Sequence, residues 1–71
     1  MSVPTYILSQ PDKAINLFKD ILASVNETIR IIVPSEVANE AIDLVAGQSF
    51  DFSMRPFYEQ HIMFEIEGHR E

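Results

Sequence analysis

Apolar residues follow two rhythms along this chain, and the switches between them mark its elements. Val3 to Leu8 is short and mostly β-branched or aromatic, which predicts a first strand. Pro4 lacks a backbone donor, so this strand belongs at a sheet edge or begins after it. Ser9-Gln10-Pro11-Asp12 then reads as a helix start, with Ser9 the expected N-cap and Asp12 at the positive end of the helix dipole. Ala14, Ile15, Leu17, Phe18, Ile21, Leu22 and Val25 recur at helical spacing and predict a wide apolar stripe. Asn26 and Glu27 end it.

Thr28 to Val33 predicts a second strand, stopped by Pro34, whose alternation is broken by Ile32 on the side of Thr28 and Arg30. Ser35 is expected to cap a second helix running to about Ala46, with Gly47 as its stop. Its apolar face holds Val37, Ala38, Ala41, Ile42, Leu44 and Val45. Ser49 to Met54 alternates cleanly as a third strand, and Arg55-Pro56 opens a connection. His61 to Glu67 alternates again, with Ile62, Phe64 and Ile66 inward, before Gly68 and a frayed tail of His69-Arg70-Glu71.

The order β-α-β-α-β-β implies parallel crossovers followed by an antiparallel hairpin. The expected fold is α/β (α+β), a two-layer sandwich in which a four-stranded mixed sheet carries two helices on one face. Residues 1–71 form a single domain. The sheet's other face is then open. Thr5, Ile7, Thr28, Arg30, Ile32, Asp51, Ser53, His61, Met63, Glu65 and Glu67 are placed there. Most are polar, but Ile7, Ile32 and Met63 are not.

Length and composition sharpen this picture. A chain of 71 residues hides only about 60% of its unfolded surface, so its stability margin is thin. With no cysteine, neither disulfides nor thiolate metal sites can widen it. Idealised packing, oligomerisation or a partner is the expected remedy. The net charge of −6, with the five Lys and Arg scattered, argues against direct nucleic-acid binding. No apolar run approaches the ~18 residues of a membrane span. Met1-Ser2-Val3-Pro4 has no basic stretch of the kind that opens a signal peptide, so a cytoplasmic protein is expected.

Catalytic patterns do not assemble. His61, Glu65, Glu67 and His69 make the one cluster of histidine and carboxylate, and Asp51 on a neighbouring strand could join it. Strand neighbours two apart sit roughly 7 Å from each other, so a metal would need ligands from other strands. An exposed strand of mixed charge accounts for the same residues, and no metal or cofactor is assigned. Ser53 could lie across the hairpin from His61, but nothing resembles a nucleophile elbow. Two glycines are too few for a phosphate-cradling loop.

Local wording adds a resemblance. Val-Pro-Thr-Tyr-Ile-Leu from Val3, Ala-Ile-Asn-Leu-Phe-Lys-Asp-Ile-Leu-Ala-Ser-Val from Ala14 and Glu-Thr-Ile-Arg-Ile-Ile-Val-Pro from Glu27 resemble the opening of a phospholipase-D-like half domain. Sugar-sensing transcription regulators carry a similar non-catalytic version. The strands Phe50 to Arg55 and Gln60 to Gly68 fit the same order. That family bears His-x-Lys, four residues, then Asp and usually Gly. Matching Gly68 to the glycine puts Gln60, Ile62 and Glu67 at the three functional positions. A shift by one residue keeps His61 but sets Met63 and Gly68 at the other two. Either way the resemblance implies architecture and a tendency to pair, not phosphodiester cleavage.

The expected function is a non-enzymatic regulatory or protein-interaction module, a homodimer or a binder of a protein partner, using its open sheet face or an exposed strand edge. Ile7, Arg30, Ile32, His61 and Met63 are the expected contact residues, with Arg30 as an anchor for a carboxylate or phosphate. One alternative is a small acidic inhibitor blocking a basic nucleic-acid-processing target through a rim of Glu59, Glu65, Glu67 and Glu71. Another is a vestigial phosphodiesterase-like hydrolase using His61, oriented by Glu65 or Asp51.

Overall fold

The computed structural model describes residues 2–68, so the tail at His69-Arg70-Glu71 lies outside the described residues. Strand β1 (Thr5–Ile7) leads to helix α1 (Pro11–Ser24), and strand β2 (Ile29–Pro34) leads through a 3₁₀ turn (Ser35–Val37) to helix α2 (Ala38–Gly47). Strands β3 (Asp51–Pro56) and β4 (His61–Glu67) complete the chain. The four strands form one mixed sheet in the order β1-β2-β4-β3. β1 runs parallel to β2, and β4 is antiparallel to both β2 and β3. β4, the last strand, is therefore inserted between its hairpin partner and β2.

Both helix starts lie later than expected, for one reason. The Leu8 N–H donates to the Ile32 carbonyl, which keeps the chain extended past Ile7. The turn into α1 then falls at Gln10, whose carbonyl accepts from Lys13 and Ala14 N–H, so Gln10 and not Ser9 is the N-cap. Pro11 follows at the first helical position, where a missing N–H does no harm. Ser35 is likewise still tied to the sheet, donating its N–H to the Gln60 carbonyl. It opens a 3₁₀ turn without a side-chain cap, and the α-helix proper waits until Ala38. Past Gly47 the left-handed residue is Ser49, at φ 62°.

Arg55 and Pro56 belong to β3 and not to a connection. The ladder continues to the hairpin, where Phe57 N–H donates to the His61 carbonyl. Pro56 is tolerated because β3 is an edge strand.

Both helices pack on one side of the sheet. Ala14, Phe18 and Leu22 from α1 and Ala41 and Val45 from α2 share one core with Ile29, Ile31 and Val33 of β2 and Phe64 and Ile66 of β4. Phe64 anchors it. Phe18 meets its ring edge-on at 5.6 Å between centroids, and Phe52 stacks on it at 6.1 Å. Such ring pairs add about 0.5–1.5 kcal/mol each beyond area burial. The α1 stripe is narrower than its spacing implies, since Leu17 stays exposed. Gly68 packs against Asn26 and Glu27, in the connection from α1 to β2. Its N–H donates to the Glu27 carbonyl, and an added Cβ would stand 2.5 Å from the Glu27 backbone nitrogen, so only glycine fits.

Candidate functional site

The strand pairing lines up the residues of the uncovered face in rows. Ile7 pairs with Ile32, Ile32 with Met63 and Met63 with Arg55, so three apolar residues separated by most of the sequence become one stripe across β1, β2 and β4. The next row is Thr5, Arg30, Glu65 and Ser53. Beyond it Glu67 pairs with Asp51. On the hairpin side of the apolar stripe, Pro34 pairs with His61. The face is thus graded, apolar towards the hairpin and acidic at the opposite end.

At the apolar end the face is concave. A groove of about 550 Å³ is lined by Ile7, Ser9, Ile32, Phe57, Tyr58, Glu59 and His61. Ile32 forms its floor. It is only 2% exposed although no helix covers it, because Ile7 and Met63 flank it in the sheet. Ile7, by contrast, is 65% exposed. The groove's far wall is the hairpin turn, where the Phe57 and Tyr58 rings meet edge-on at 4.5 Å.

That turn has unusual backbone. Tyr58 sits at φ 51° and Gln60 at φ 58°, both in the left-handed region that favours glycine. Each such residue carries about 1 kcal/mol or more of strain. The strain holds a tyrosine that is 87% exposed. The His61 Nδ1–H donates to the Glu59 carbonyl at 2.7 Å across the same turn, which fixes the hydrogen on Nδ1. A second groove of about 560 Å³ shares Ser9 and His61 with the first and reaches Pro11, Pro34 and Ser35.

The acidic end is shallower. Asp51, Phe52, Ser53, Glu65 and Glu67 line a depression of about 320 Å³. Arg30, on the central strand, stands between the two ends with its Nε 3.5 Å from Glu65 Oε1. That nitrogen is buried and makes no hydrogen bond among the described residues, so the contact with Glu65 is a Coulombic pairing. Both side chains remain more than one-third exposed, which makes the pair weak.

Of the expected contact residues, Ile7, Ile32 and Met63 share one row, with His61 beside them and Arg30 one row away. Ile32 lies beneath the surface of that patch. Phe57 and Tyr58 were not among the expected contacts, although two adjacent aromatics in a hairpin turn, where Gly or Asn is usual, are a sequence signal. Ser53 pairs with Glu65 and lies well along the strand from His61, so the two do not meet. Among the described residues no three His, Asp or Glu side chains gather into a metal-sized site. Glu59 sits in the hairpin turn and Glu67 at the far end of β4, so they do not form one rim; Glu71 lies outside the described residues. Gln60 is in the turn, and Ile62 packs against the helix-covered core. No helix among the described residues is long and apolar enough to cross a membrane.

A scan against protein-family models, a search of the curated proteins and a search of the solved structures each returned no match.

Proposed function

We propose that this chain is a non-enzymatic protein-interaction module that captures a partner polypeptide on the uncovered face of its sheet. The occupant has a large apolar side chain that fills the groove over Ile32, next to a basic flank that meets Asp51, Glu65 and Glu67. The observation that carries this reading is the pairing of two highly exposed apolar walls, Ile7 and Tyr58, around a ready-made groove. Exposed apolar patches bordered by polar residues mark interaction sites, and aromatic residues in concave settings dominate binding energy. The strained turn that presents Tyr58 supports the same reading, since a glycine there would relieve the strain.

A peptide library selected on the wild-type chain and counter-selected on Ile7→Asp tests this. Enrichment of peptides pairing a Leu, Ile, Phe or Trp with nearby Lys or Arg supports it. Enriched peptides that bind Ile7→Asp and Tyr58→Gly as tightly as wild type reject it.

The acidic-inhibitor reading draws on a different observation, the gathering of Asp51, Glu65 and Glu67 at one end of the face. Binding dominated by those carboxylates would collapse on raising salt, whereas an apolar anchor in the groove would hold. Self-association, expected from the thin core, has a separate surface open to it at the β3 edge.

A further inference from the structure

The backbone hydrogen bonds settle which groups point out of the sheet at β3. In an antiparallel pair, residues facing one neighbour with both N–H and C=O alternate with residues facing the other way. Phe57 N–H donates to the His61 carbonyl, so odd-numbered residues of β3 bond to odd-numbered residues of β4. The other side of β4 agrees, since Ser35 N–H donates to the Gln60 carbonyl and even-numbered β4 residues bond to β2. Phe52, Met54 and Pro56 therefore turn their backbone groups outward, away from β4. β3 is an edge strand, so Phe52 and Met54 present two N–H and two C=O groups with no partner strand among the described residues.

Edge strands are normally blunted by shortness, by lysines or by bulges. β1, the opposite edge, is protected in this way, being three residues long and preceded by Pro4. β3 is twice that length, and its two charged residues have opposite sign. Those charges are placed symmetrically about Ser53. When β3 is laid antiparallel to a copy of itself with Ser53 opposite Ser53, Asp51 falls opposite Arg55 of the second copy, and Arg55 opposite the second copy's Asp51. On the other face Phe52 falls opposite Met54 of the second copy. Met54 is left 46% exposed in the single chain. The same register pairs the outward groups of Phe52 with those of Met54 and closes four backbone hydrogen bonds.

Other registers do less. Parallel pairing in register sets Asp51 against Asp51 and Arg55 against Arg55, and like charges directly opposite each other are destabilising. A two-residue slip towards the hairpin sets Phe52 against Pro56, which has no N–H to give. A one-residue slip turns bonded groups against unbonded ones.

We propose that this chain forms a two-fold homodimer by antiparallel pairing of β3 with β3 of a second copy, centred on Ser53 and locked by two Asp51–Arg55 ion pairs. The result is a continuous eight-stranded sheet, ordered β1-β2-β4-β3 and its reverse. Such a two-fold contact is isologous and closes on itself, so it gives dimers and not fibres. The helices of both copies lie on one side and both uncovered faces on the other. The edge is a different surface from the groove over Ile32 and shares only Asp51 with the acidic flank, so Met54→Pro tests the dimer and Ile7→Asp tests partner capture separately.

Sedimentation equilibrium with charge-reversed variants tests the pairing, with circular dichroism confirming that each variant is folded. Wild type is expected at twice 8.1 kDa. Asp51→Arg alone and Arg55→Asp alone are each expected to sediment as monomers, because each sets like charges opposite one another. Mixed in equal amounts, the two variants regain opposite charges at both positions and are expected to recover the dimer. Met54→Pro, which removes an outward N–H without touching the bonds to β4, is expected to weaken the wild-type dimer at least tenfold. A monomeric wild type overturns the proposal. So does a dimer that survives Asp51→Arg and Met54→Pro but is broken by Ile7→Asp, which would move the contact to the uncovered face.

Discussion

The same strands carry two very different surfaces. On the helix side of β2 and β4, Ile29, Ile31, Phe64 and Ile66 are all nearly inaccessible, and the residues over them come from both helices. On the reverse side of β2, among the described residues, Ile32 and Pro34 are buried as well, and Ile32 is hidden by neighbours in its own sheet. A layer of helices buries side chains end-on, whereas flanking side chains in the sheet hide the one between them and stay at least partly exposed themselves. That is why Ile7 remains open beside a fully buried Ile32. A bare sheet face can thus enclose a floor without losing its walls, and such a shape is a groove.

The largest effect should come from breaking the covered side. Phe64→Ala empties the position where two other rings converge, and is expected to lower unfolding free energy by about 3–5 kcal/mol in urea denaturation. In a domain this small, that would leave little folded protein at room temperature. Ile32→Ala tests the reverse side. It is expected to cost about 2 kcal/mol, the lower end for such a truncation, because the groove above it is already open to solvent. A loss as large as that of Phe64→Ala would show the reverse side to be a second core.

Tyr58→Gly sharpens the contrast by changing sign. Removing an exposed side chain from a left-handed position is expected to raise thermal stability, by about 1 kcal/mol or less once the added freedom of the unfolded chain is counted. The same variant should lose selected peptides. A gain in stability together with a loss of capture would identify Tyr58 as a residue kept for binding. Glu65→Gln is expected to do least. Its ion pair with Arg30 is half exposed, so the change in stability should stay below about 1 kcal/mol and vanish in high salt.

Much of the fold was legible because side-chain period reports directly on local structure. The seven alternating residues from His61 to Glu67 match β4 residue for residue, since nothing else competes for that segment. Boundaries failed where tertiary hydrogen bonds extended an element. Leu8 and Ser35 are held by the sheet, which displaced both helix starts, and the hairpin ladder drew Arg55 and Pro56 into β3. The candidate site was legible only as a set of side chains on one face. Alternation put Ile7, Ile32 and Met63 on that face without showing that they adjoin, and Tyr58 read as part of a connection.

Alternation along a strand states which face a residue takes, because successive side chains must point opposite ways. It is silent on which strand lies alongside, since pairing joins residues far apart in the chain. The amino-acid order therefore determined two helices, four strands and their buried sides. Only tertiary structure placed β4 between β2 and β3, gathering three dispersed apolar residues into a stripe and leaving β3, with its balanced charges, at an unpaired edge.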